Sequence, residues 1–282
     1  MNSLVPSAQW LCLLQHLGAW HGSFTRLDAA GILQNDTPTV IELAGLDGNQ
    51  TVRQTLNYFS PDTKELVEQK VLEYRTLNRG VLFFGNGAFS QGSLQYGPFS
   101  EFGAEFGFLE GDRRLRLVPM FAPSGSETHL ASITLIREHL PNSITPERPP
   151  LTVEALVGTW RGQAVTLYAD WRSPDEYSTT LTVQQQGDRL HQQLTMPQFQ
   201  LQSSARIEGS RLLFDQGTTP MQLLLLPDGG SCNTPLTIPK GKPFLLETGW
   251  LVTSTLRQRL VRQYDAQGGW VSLTLVVEEK VD

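Results

Sequence analysis

Cys232 lies in a polar segment, Pro227-Asp228-Gly-Gly-Ser231-Cys232-Asn-Thr-Pro235. A thiol beside hydroxyl and amide side chains suits a nucleophile for covalent chromophore attachment. Such a thiol needs a neighbouring base or a lowered pKa, and no His lies within 30 residues of it in sequence. The competing reading is an inert thiol, with Asp228 and Ser231 in a loop that covers a mouth or meets a partner. The five His, at 16, 21, 129, 139 and 191, lack the His-Glu-x-x-His spacing of a zinc site, and the two Cys do not form Cys-x-x-Cys. There is no Gly-x-Ser-x-Gly elbow and no phosphate-binding Gly-Lys-Ser/Thr loop. The Gly-rich run Phe84–Gly92 has no Lys and reads as a tight turn between strands. No catalytic residue, metal ligand or cofactor is assigned.

The charged residues offer a second kind of chemistry. Glu105 precedes Arg116, and Glu247 precedes Arg259, by similar distances. If each Glu strand forms a hairpin with its Arg strand, the two charges come together. The pair then either fixes strand register or anchors the polar head of a ligand. A cross-strand pair contributes roughly 0.2–1 kcal/mol on an exposed face, whereas losing one partner of a buried pair costs about 3–5 kcal/mol. Aromatic side chains, among them Phe108, Tyr168, Trp171, Trp250, Tyr264 and Trp270, fit three roles: core filling, cavity lining, or an exposed partner patch. Arg262 joins this set as a ligand or partner candidate.

These residues recur. Gly18-Ala-Trp20-His-Gly22 returns as Gly158-Thr-Trp160-Arg-Gly162, 140 positions later. Glu105-Phe-Gly-Phe-Leu109 returns as Glu247-Thr-Gly-Trp-Leu251, and Arg116-Leu-Val118 as Arg259-Leu-Val261, at offsets of 142 and 143. Leu130-Ala-Ser-Ile-Thr-Leu-Ile-Arg-Glu138 returns as Trp270-Val-Ser-Leu-Thr-Leu-Val-Val-Glu278, again at 140. Ordered matches at a near-constant offset mark an internal duplication. The copies meet at Pro141-Asn-Ser-Ile-Thr-Pro146-Glu-Arg-Pro149-Pro150, where four Pro in ten residues exclude helix interior and central strand. This predicts domains over 1–140 and 152–282 joined by a semi-rigid linker at 141–151.

Each half is rich in strand signals. Thr179–Gln184 and Leu190–Thr195 flank Gly187-Asp188, a hairpin turn, and Glu208-Gly209 and Asp265–Gly269 divide further strand pairs. Ser7–Leu17 reads as a short helix, and Asp62–Leu72 is open between helix and strand. Many short strands at about 8–12-residue spacing predict a barrel or sandwich. Gly-x-Trp at the head of each half favours a closed barrel, with Gly18 and Gly158 allowing a tight entry and Trp20 and Trp160 plugging one end. If Ala131, Ile133, Leu135 and Arg137 face inward, Arg137 lies over Trp20. Val277 occupies the equivalent place in the second half.

The 22 Lys+Arg against 28 Asp+Glu give a net charge of −6, which argues against nucleic acid as a partner. No run of 18 apolar residues predicts membrane insertion. The first 20 residues lack the basic and cleavage features of a signal peptide, and two Cys in 282 residues fit a reducing, cytoplasmic setting.

Gly-x-Trp ahead of a strand-rich stretch is similar to the lipocalin (calycin) superfamily. The second half carries more. Leu225-Leu-Pro-Asp-Gly-Gly-Ser231, Pro235–Ile238, Phe244–Leu251, Gln258–Tyr264 and Gly269–Thr274 resemble a cyanobacterial and plastid family of two-barrel, lipocalin-like proteins. Its plant members include the biogenesis factor of the chloroplast ATP synthase. The resemblance covers 156–280 well and the first half more loosely. It implies two tandem antiparallel β-barrels with short helices, and a non-catalytic assembly role with ATP synthase subunits as partners. The alternatives are a binder of a small hydrophobic ligand (pigment, tetrapyrrole or lipid-like) and a bilin-lyase-like enzyme. An assembly clamp predicts filled barrels and a groove between them; a ligand binder predicts an open cavity of several hundred Å³.

Overall fold

The computed structural model describes residues 8–170 and 172–281. The first half opens with helix α1 (Ala8–Leu14) and builds β1 (Gly18–Asp28), β2 (Leu33–Leu46), β3 (Thr51–Phe59), β4 (Leu66–Tyr74), β5 (Val81–Phe83), β6 (Phe89–Gly92), β7 (Phe102–Glu110), β8 (Arg113–Ser124) and β9 (Glu127–His139). After a short helix α2 (Val153–Leu156) come β10 (Gly158–Tyr168), β11 (Asp175–Gln186), β12 (Arg189–Met196), β13 (Phe199–Glu208) and β14 (Arg211–Phe214). The chain ends with β15 (Met221–Leu225), β16 (Gly230–Pro235), β17 (Phe244–Leu251), β18 (Leu256–Tyr264) and β19 (Trp270–Lys280). The ambiguous 62–72 stretch is strand from Leu66 onward, because Glu68 to Leu72 pair along β3; residues 62–65 belong to the turn before it. The expected first helix begins at Ala8; Ser7 lies outside the described residues.

The fold is all-β, two tandem barrel-like units of antiparallel strands. β10 to β19 close into a ten-stranded barrel, with β19 returning to β10. The first half forms a nine-stranded curled sheet in the order β4-β3-β2-β1-β9-β8-β7-β6-β5, a half-barrel in which β4 and β5 are the edges. The Gly-rich 84–92 run is the β5–β6 turn, closed by the Phe84 amide donating to the Ala88 carbonyl at 2.8 Å.

Both heads of the repeat are built alike. Gly18 and Gly158 have φ of +133° and +129°, a region that suits residues without Cβ. Trp20 and Trp160 are buried. Each indole N–H donates to the carbonyl four residues back, His16 at 2.8 Å and Leu156 at 2.9 Å. Each strand head therefore grips the helical turn before it.

Three apolar cores result. One fills the first half around Trp10, Trp20, Ile41 and Phe83, and one lies at the Trp160 end of the second barrel with Leu156, Leu181 and Leu190. The third is shared: the outer face of β7–β9 (Phe106, Leu117, Leu135) packs against the outer face of β16–β19 (Leu246, Leu260, Leu273). This corrects the inward orientation expected for Ile133, Leu135 and Arg137. Ile133 and Leu135 face the second barrel and Arg137 shares their side of β9, while Glu138 faces inward. Both faces of β9 are buried, so apolar alternation does not tell inside from outside.

Candidate functional site

Inside each barrel the structure assembles the same four charges. Arg116 reaches Glu105 at 2.7 Å and Glu138 at 2.9 Å, and Arg114 reaches Glu138 at 2.7 Å. In the second barrel Arg259 reaches Glu247 at 3.0 Å and Glu278 at 3.1 Å, and Arg257 reaches Glu278 at 2.8 Å. The sequence brought out Glu105–Arg116 and Glu247–Arg259 but missed Arg114, Arg257 and the central carboxylates. Their signal was present: Arg-x-Arg recurs at 114–116 and 257–259, and Glu138 and Glu278 end the fourth repeated segment.

The cation over Trp20 is Arg114, 4.5 Å from the ring, and not Arg137. Arg137, on the opposite face of β9, donates to Thr25 and pairs with Glu147 at 3.1 Å. The same parity supplies Trp160 with Arg257 at 5.6 Å and Lys280 at 5.1 Å. Burial pushes Glu138 toward protonation, but Arg114 and Arg116 outweigh it and hold its pKa at about 2. Burial likewise opposes ionisation of Glu278, and Arg257 and Arg259 reverse it. The central carboxylates Glu138 and Glu278 are thus ionised at neutral pH.

What surrounds the quartets differs. In the second barrel Glu247, Arg257 and Arg259 lie in the wall of a chamber of about 710 Å³. Its apolar lining includes Leu190, Leu194, Leu201 and Leu223. Thr179, Ser203 and Asn233 belong to the same wall, but their Oγ1, Oγ and Oδ1 atoms are covered by protein and not open to the chamber. In the first half the corresponding space is about 220 Å³, reduced by Phe83, Phe89, Tyr74 and His16. Burial, then the nearby Arg114, lowers the His16 pKa to about 3, and its Nε2 meets the Gly87 carbonyl at 2.8 Å.

Several sequence candidates lie elsewhere. Trp250, Tyr264 and Trp270 belong to the shared core, with Phe108. Arg262 is buried there over Trp270 at 3.7 Å, and donates to the Tyr264 hydroxyl at 2.7 Å and the Ser93 carbonyl at 3.2 Å. It therefore ties the barrels together instead of lining a cavity. Tyr168 pairs with Asp175 at the barrel rim, and Trp171 lies outside the described residues. Asp228 is a junction: it takes the Arg148 amide at 2.6 Å and the Arg113 guanidinium at 3.2 Å, fastening linker and first half to the second barrel. Burial raises its pKa against these partners. The linker is docked, not free: Leu151 donates to Leu226, and Gly229 to Pro149.

Ser231 is buried in β16 opposite Gly249. Cys232 is buried in the shared core, and burial, then Glu247, pushes its thiol well above the usual range. A thiol kept protonated and covered is not a nucleophile. Among the described residues no group of three or more His, Cys, Asp or Glu is placed to hold a metal, and no helix is long and apolar enough to cross a membrane.

A curled half-barrel joined to a closed barrel, each with a buried Trp at its head and an internal ion-pair quartet, defines a class of β-barrel proteins. This chain belongs to the DUF3598 family. It is 48% identical to a DUF3598 protein of unknown function from Nostoc punctiforme PCC 73102, covering 98% of this chain and 100% of that one, with a TM-score of 0.90. Residues 6–143 match the N-terminal DUF3598 domain, and residues 147–281 match the C-terminal domain of "Biogenesis factor required for ATP synthase 1". An S-type phycobiliprotein lyase, CPES from Guillardia theta, is 13% identical over 46% of this chain and 90% of its own, with a TM-score of 0.34. None of the curated proteins matches the chain.

Proposed function

We propose that the chain is a non-catalytic binding protein whose second barrel takes up one small ligand with an apolar body and a polar end. The observation that carries this is the chamber of about 710 Å³, within the range of about 300–1,000 Å³ usual for small-molecule sites. Its leucine walls suit an apolar body. The Arg257–Arg259–Glu247 wall suits a polar end. Titration with 1-anilinonaphthalene-8-sulfonate tests this. The full chain binds one probe with enhanced fluorescence, and Leu194→Trp/Val261→Trp, which fills the chamber, loses it with an unchanged circular-dichroism spectrum. Equal binding by both proteins, or none by the parent, overturns it.

The match of residues 147–281 supports a second reading, in which the chain serves ATP synthase assembly through a protein partner. Affinity capture from a photosynthetic cell extract that recovers ATP synthase subunits favours it; capture that lacks them counts against it.

A further inference from the structure

The duplication makes the closed second barrel a template for the first. By strand order within the sheets, β4 corresponds to β13 and β5 to β15, so the half-barrel has one strand fewer, with no separate counterpart of β14. Six residues join β4 to β5, against twelve between β13 and β15. The shorter connection contains no strand, and the edge of β4 that β14 would cover is unpaired. Every residue from Leu66 to Glu73 is exposed, including four large apolar side chains: Leu66 (52%), Val67 (63%), Val71 (52%) and Leu72 (49%). A long edge strand with exposed apolar residues is a template for pairing.

The sequence of that edge says with what. Leu66-Val67-Glu68-Gln69-Lys70-Val71-Leu72 reads the same in both directions about Gln69, except that Glu68 is mirrored by Lys70. We infer that β4 pairs antiparallel with β4 of a second copy of this chain, about a two-fold axis at Gln69. In that register Glu68 faces the second copy's Lys70 with side chains on matching faces, and the bulge at Val67 ends the regular pairing at Val71. Edge lysines ordinarily discourage strand addition; here the two-fold axis places each Lys70 opposite a carboxylate. Within one chain Lys70 already leans on Glu68 at 3.1 Å, and the second copy offers an equivalent carboxylate across the axis. Glu73, which would approach the second copy's Glu65, is neutralised by Arg53 at 2.8 Å. The contact is isologous and closes at two copies.

Sedimentation velocity of the full chain over a concentration series tests the inference. The parent forms dimers. Glu68→Lys alone, or Lys70→Glu alone, turns both symmetric attractions into repulsions and weakens dimerisation about tenfold or more. The double exchange Glu68→Lys/Lys70→Glu restores both pairs with signs swapped, and with them the parent dimer. Because both side chains are more than half exposed, all variants keep the parent's circular-dichroism spectrum and thermal midpoint. A chain monomeric at every concentration overturns the inference, as does a dimer indifferent to the single reversals or not rescued by the double.

Discussion

Replacing Glu138 by Gln keeps the shape of the first quartet and removes its central charge. Three donors lose their ionic partner: Arg114 Nε at 2.7 Å, Arg116 Nε at 3.0 Å and Arg116 Nη2 at 2.9 Å. Arg116 keeps Glu105, whereas Arg114 keeps only the Trp20 ring. One buried cation is left without a carboxylate, a loss of about 3–5 kcal/mol. Most of that cost is the stranded charge, so removing the charge as well should return part of it. Urea unfolding followed by tryptophan fluorescence gives both values from midpoint and slope. Glu138→Gln is destabilised by about 3–5 kcal/mol. Glu138→Gln/Arg114→Met is less destabilised than Glu138→Gln alone, because an apolar side chain in place of a buried ion costs little. The same pattern holds for Glu278→Gln and Arg257→Met. A Glu138→Gln cost under about 1 kcal/mol, the range of an exposed pair, or a double variant as costly as the two singles added, refutes the reasoning.

Acid titration gives a further expectation. His16 stays neutral in the fold until about pH 3 but takes a proton near 6.5 when unfolded, so the unfolded chain binds the proton first and stability falls with pH across that window. Because the unfolded imidazole is half protonated at pH 6.5, the loss from pH 6.5 to pH 5 is about 1.6 kcal/mol for this one group, and His16→Gln flattens that part of the urea-midpoint profile. Below this range protonation of Glu138, whose folded pKa is about 2, removes stability that is fully present above the unfolded carboxylate pKa. Gly22→Ala and Gly162→Ala separate the repeats: a Cβ on Gly22 would come 1.9 Å from the Arg137 carbonyl oxygen, one on Gly162 2.8 Å from the Thr179 hydroxyl and 3.0 Å from the next side-chain atoms. Backbone cannot yield as side chains do, so Gly22→Ala lowers the thermal midpoint more. Arg262→Leu loses the bond to Ser93 across the shared core and the one to Tyr264 on its own strand, and limited proteolysis of the variant cuts the connection between the halves faster.

The duplication, the strand content and the indole plugs were legible because each appears twice in the sequence. The parity of β9 was not, since Ile133 and Leu135 are as apolar as any inward-facing pair and are buried against the other barrel. The shared core hid the roles of Trp250, Tyr264, Trp270 and Arg262 for the same reason: an aromatic or arginine in a docking face has the composition of one in a cavity. Glu105–Arg116 and Glu247–Arg259 were found by spacing along hairpins. Glu138 and Glu278 sit one strand further on, where spacing carries no signal and only the repeat does. The chamber itself depends on the paired Leu194 and Leu201 of β12 and β13 standing across the barrel from Leu245 and Val261 of β17 and β18, a distance no local pattern encodes.

The most direct test of the central claim is native mass spectrometry of the chain purified, without detergent, from its own cells. Uptake of a small ligand by the second barrel predicts a species heavier than the chain by one small molecule, absent from Leu194→Trp/Val261→Trp. The bare chain mass in both proteins would contradict it.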